Sequence, residues 1–172
     1  MKPTSFLRQV VLATLSILLL TGLSLMAEED KGESKAEMAL KHRNTAPKAA
    51  EIDSTATIQT LLEKNGPNDW SNQKGAQLEG YVVQVESEDD GDVHFVLAAK
   101  PGESNTRQWV ISEVTPDWQK KHHELSKSSL KSLVGKHVRV SGWLYHEPDT
   151  EQGDPRGTLW ELHPVTEVKK IG

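Results

Sequence analysis

Two acid–histidine spacings mark the 172-residue chain. Asp92-Val93-His94 and Glu161-Leu162-His163 each set a carboxylate and an imidazole two residues apart. On a strand, that spacing puts both side chains on one face. Two histidines and two carboxylates suit zinc or another divalent ion. Beside such an ion a carboxylate serves as general base, which makes a metal-dependent hydrolase using Asp92, His94, Glu161 and His163 one reading, with Glu161 as the base. The plainer reading gives each group local work: Asp92 closes a turn, Glu161 bonds neighbouring backbone, and His163 fixes the chain before Pro164. No other cofactor is expected.

Weaker signals fall away on spacing. His122-His123-Glu124 resembles a zinc-protease helix, but Lys127 stands where the second histidine belongs. Glu88-Asp89-Asp90-Gly91-Asp92 lacks the alternate ligands and distal glutamate of a calcium loop. The sequence contains no nucleophile elbow, phosphate loop or dinucleotide fingerprint. Lys120, Lys121, Lys127, Lys131, Lys136 and Arg139 form a basic zone, and Tyr81 and Trp109 could offer stacking surfaces.

The elements that position these residues are short strands. Leu78–Glu86 alternates, with Leu78, Gly80, Val82 and Gln84 on one face and Tyr81, Val83 and Val85 on the other. Asp90-Gly91 marks a hairpin into a second strand, Asp92–Ala99. A third follows over Arg107–Val114. Thr115-Pro116-Asp117 then reads as a helix start, and the helix runs to Gly135 with its weakest spacing at Ser128-Ser129. Lys136–Tyr145 and Thr158–Val165 are the fourth and fifth strands. Three strands, a helix and two strands predict a small five-stranded OB-fold-like barrel over 73–172, all-β with one helix between strands three and four. In that barrel strand three lies between strands two and five. The two acid–histidine pairs then need not meet, and separate local roles outweigh a shared metal.

Before the barrel the composition changes. Lys2 and Arg8 flank an uncharged apolar run, Val10–Met26, and Ala27 precedes Glu28-Glu29-Asp30. This pattern predicts a signal peptide over 1–27 and a periplasmic or secreted protein; an uncleaved inner-membrane anchor is the alternative, and the only membrane contact expected. Residues 28–72 are poor in large apolar side chains and predict a flexible tail, with a short helix at Thr57–Lys64 and Trp70 plugging the domain rim. The chain has no cysteine, which excludes disulfides and thiolate metal sites. Net charge is −5, and −7 once Lys2 and Arg8 leave with the leader. That balance argues against nucleic acid as a partner.

Three segments carry a resemblance. Glu113-Val114-Thr115-Pro116, Val138-Arg139-Val140-Ser141-Gly142-Trp143-Leu144 and Arg156-Gly157-Thr158-Leu159-Trp160-Glu161-Leu162-His163-Pro164-Val165 resemble a family of small exported bacterial proteins with a W-E-[IL]-H-P-V motif. Asp90–Leu97 is similar to that family's hairpin, and the resemblance covers Leu78 to Val168. It implies an OB-like domain and no particular activity. The expectation from the sequence is therefore an exported, non-catalytic binding module. Its partner is a small ligand, oligosaccharide, peptide or protein, met on the outer face of strands two and three. Tyr81, Asp92, His94, Trp109, Glu161 and His163 are its candidate contacts. Single-stranded nucleic-acid binding is a further alternative.

Overall fold

A computed structural model describes residues 34–147 and 156–172. Five strands, β1 (Gly75–Ser87), β2 (Val93–Ala98), β3 (Trp109–Val114), β4 (His137–His146) and β5 (Trp160–Lys170), close into a barrel in the order β1-β2-β3-β5-β4. The pairings are antiparallel except β3 with β5, where Ser112 faces Leu162 in parallel. This is the OB-fold architecture. Leu78, Val82, Phe95, Leu97, Val110, Val140, Leu144, Trp160 and Leu162 fill the interior.

Alternation sets which residues point inward, but two irregularities move the frame. In β1 the register shifts between Val82 and Gln84, so Val85, not Gln84, joins the core. In β5, Leu162 faces Leu144 and Val165 faces Gly142, which leaves His163 and Pro164 opposite Trp143 alone. A proline at such a bulge forfeits no ladder bond. The strand therefore runs on past Pro164 to Lys170 instead of stopping at Val165. The His163–Pro164 peptide is cis.

The hairpin at 88–92 forms as its residues dictate. Gly91 has φ +92°, Asp92 N donates to Asp90 Oδ1 at 2.9 Å, and Glu88 N donates to Asp92 O at 3.0 Å. Between β3 and β4 lie two short helices rather than one, Pro116–Lys121 and Lys127–Lys131, joined through a 3₁₀ turn at His123–Leu125. The break falls before Ser128-Ser129 because Ser126 caps the second helix, accepting from Ser129 N. Trp118, Leu125 and Leu130 from this interval are buried in the core. Val134, just beyond the second helix, is exposed.

Residues 34–72 do not behave as a free tail. They form helices at Lys35–Lys41 and Ile58–Glu63 and pack on the barrel. Trp118 Nε1 donates to Arg43 O and Trp143 Nε1 to Thr45 O, both at 2.8 Å, and the Arg43 guanidinium lies 4.2 Å over Trp143. Ile58, Leu61 and Trp70 are buried, and Trp70 Nε1 donates to Lys64 O. A Cβ at Gly80 would overlap Ile58 and come 2.7 Å from Ala98 O, so glycine there admits this packing. The segment has few apolar side chains of its own because the barrel's tryptophans supply the anchoring surface and bond its carbonyls. The expected leader, 1–27, lies outside the described residues. Among the described residues no helix is long and apolar enough to cross a membrane.

Candidate functional site

On the barrel's outer face, β2, β3 and β5 bring acids and histidines together. The inward residues of these strands alternate with outward ones, so Asp92, His94, Glu113, Glu161 and His163 project to the same side. The ladder sets His94 directly opposite Glu113. Strand three does not separate the two acid–histidine pairs; its own outward carboxylate joins them.

His163 is at the centre and is buried. Its Nδ1 lies 2.9 Å from Glu113 Oε2 and 3.3 Å from Glu161 Oε1. Its Nε2 lies 3.2 Å from Asp92 Oδ2, an ion-pair distance, but out of line for a hydrogen bond, so Nε2 has no hydrogen-bond partner. Glu113 uses its second oxygen, Oε1, to meet His94 Nε2 at 2.7 Å. His94 Nδ1 lies 3.3 Å from Glu88 Oε1 on the exposed hairpin. At the other end Arg156 Nη1 donates to Glu161 Oε2 at 3.0 Å. A continuous row of charges thus runs from solvent at Glu88 to wholly buried Glu161. The Tyr145 and His163 rings meet edge to face, and Lys41 of the N-terminal segment lies over Tyr145.

Burial disfavours every charge in this row, and the partners decide which charges survive. Desolvation opposes the His163 cation, but the surrounding Asp92, Glu113 and Glu161 carboxylates outweigh it and hold its pKa well above the usual histidine range. His94 is raised in the same way: burial opposes, and bonding to Glu113, with Glu88 and Glu161 beyond, prevails. Glu113 goes the other way. Its burial is more than offset by hydrogen bonds and charge from both histidines, and it stays ionised well below the ordinary carboxylate range. Burial and then the Glu113 charge push Glu161 up, against His163 and Arg156. Glu161 is wholly buried and bonded on both oxygens, so in this conformation it has no approach for a substrate water.

Of the six candidate contacts, four meet here: Asp92, His94, Glu161 and His163. Tyr81 and Trp109 do not. Register places Tyr81, Ala98 and Trp109 in one row across β1, β2 and β3, and Glu86, His94 and Glu113 in another. Four residues separate the rows along β2 and β3, about 13 Å at the usual strand rise. Tyr81 stacks on His137, with centroids 4.7 Å apart, and Trp109 Nε1 donates to Glu103 O. A polar recess lined by Gln59, Ala99, Lys100, Glu103 and Gln108 lies near Trp109, away from the histidines. Glu88, Glu113 and Arg156 escaped the sequence reading as site residues. Only Glu113 carried a usable signal, as the outward carboxylate nearest the end of the middle strand.

No family model and no curated protein matches the chain. Among solved structures it is similar to a crystal structure of yeast Stn1 and Ten1, at 10% identity and a TM-score of 0.39, over 81% of this chain and 70% of that one. The expectation that the acidic balance speaks against nucleic acid is corrected on the fold itself, a closed OB-type barrel. Charge summed over a whole chain does not fix the charge of one barrel face, and OB folds in general take oligonucleotides as well as oligosaccharides there.

Proposed function

We propose that the chain is an exported OB-fold binding module that holds an extended peptide segment bearing a cationic side chain. The ligand lies across the outer face of β1, β2 and β3. The observation that carries this is the pair of parallel rows on that face. Tyr81 and Trp109 flank Ala98 in one, and Glu86, His94 and Glu113 make up the other. The aromatic row suits stacking or apolar contact, and the exposed carboxylates at the other row, Glu86 and the neighbouring Glu88, suit a lysine or arginine. The 13 Å or so between rows matches about four residues of extended chain. Export is supported by the basic start, the apolar run and the small residue at Ala27.

The test uses the purified chain without residues 1–27 and follows tryptophan fluorescence. The probes are a lysine-containing peptide, a neutral oligosaccharide and an oligothymidylate. The peptide is expected to bind, with affinity that falls as salt rises. Glu88→Gln should weaken peptide binding and Trp109→Ala should weaken it further. Binding of the oligonucleotide alone, strengthened by Glu88→Gln, would replace this reading with single-strand recognition. Binding of the neutral oligosaccharide alone, insensitive to salt, would also overturn it. Export is checked by fractionation of cells expressing the full chain, where recovery in the cytoplasmic fraction contradicts it.

A further inference from the structure

We infer that the inner end of the acid–histidine row is a binding site for a first-row divalent metal ion, with Asp92, Glu113 and His163 as its protein ligands. This goes beyond the peptide reading and does not depend on it. Ligand atoms of these three buried residues lie within 4.8 Å of one another. Tetrahedral zinc with bonds of 2.0–2.2 Å needs its ligands about 3.4 Å apart, so small side-chain closures suffice.

A second observation points to a ligand. His163 Nε2 is fully enclosed, faces Asp92 Oδ2, and has no hydrogen-bond partner. A buried donor left in that state is costly, and a metal-coordinating nitrogen in the same place is not. The other ring nitrogen is already held as metal-binding histidines hold theirs. Glu161 Oε1 lies 3.3 Å from Nδ1 and is itself fixed by Arg156. Glu161 can keep that proton while Glu113 turns one oxygen to the ion and leaves the other on His94 Nε2.

Charge favours the exchange. Arg156 offsets Glu161, and the imidazolium of His163 offsets one of Asp92 and Glu113. The remaining carboxylate relies on half-exposed His94, which Glu88 also claims. A divalent ion in place of the Nε2 proton balances both carboxylates without calling on His94. Proton and ion compete for Nε2, so binding tightens as pH rises.

The experiment is zinc titration of the chelator-treated chain by calorimetry at pH 6.5 and pH 7.5, in a buffer that neither binds nor precipitates zinc. The expected result is one ion per chain, bound more tightly at the higher pH. His163→Gln and Asp92→Asn should each weaken binding about tenfold or more. Circular dichroism checks that each variant folds; if His163→Gln does not, Asp92→Asn alone decides. His122→Ala with His123→Ala removes the exposed histidine pair and should leave the affinity unchanged. Absence of stoichiometric binding, binding unchanged by Asp92→Asn, or binding lost with the His122 and His123 pair would each overturn the inference.

Discussion

On the inner face of β5, Trp160 and Leu162 sit among Leu144, Val110 and Phe95. On its outer face Glu161 and His163 are as deeply enclosed. The inner residues are interchangeable in kind: any apolar side chain of similar shape keeps most of the transfer energy. The outer ones are not. Each exists in its charge state only because its neighbours do, so removing one partner strands another. The inner face makes the barrel stable, whereas the outer face commits five particular residues to one arrangement.

The largest effect should come from the outer face. Glu113→Ala leaves two histidines without their shared carboxylate and should destabilise by about 3–5 kcal/mol in urea unfolding. A loss under about 1 kcal/mol would show that the histidines readily become neutral. Leu162→Ala, its inward counterpart, should cost about 2–5 kcal/mol through the cavity it leaves. The two should differ in pH dependence: the Leu162→Ala loss should be the same at pH 5 and pH 8, and the Glu113→Ala loss should not.

The pH profile of the unaltered chain sharpens this further. His94 and His163 have raised pKa values, so their stabilisation is fully present below the ordinary value of 6.5 and is lost as pH rises through their higher folded values. Glu113 is depressed, so its contribution is present above 4.5 and lost as pH falls below that. Glu161 is raised and subtracts stability as pH climbs above 4.5. Thermal unfolding across pH should therefore show greatest stability between about 4.5 and 6.5, with a decline on the alkaline side that Glu113→Ala flattens. The smallest effect belongs to the exposed pair of Arg139 and Glu79, 2.6 Å apart. Arg139→Ala should cost no more than about 1 kcal/mol.

The barrel was legible because alternation, the Asp90-Gly91 turn and the Thr115-Pro116 helix start are local signals. The outer cluster was half legible. Its two i, i+2 pairs lie in single segments, whereas the group that joins them, Glu113, becomes visible only once the β2–β3 register sets it opposite His94. Knowing that strand three intervened suggested separation, when its side chain supplied the link. Arg156 and Glu88 reach the site from loops, where no periodicity fixes direction. Residues 34–72 misled for another reason: their attachment depends on indole N–H groups of the barrel, which composition of the segment cannot register.

The most direct test is the protonation state of His163 in the metal-free protein, read from ring nitrogen shifts by NMR between pH 5 and 9. With its carboxylates at 2.9, 3.2 and 3.3 Å, His163 should carry protons on both ring nitrogens at pH 7 and begin to lose one only at higher pH. A neutral His163 ring at pH 7 would contradict the account of this face.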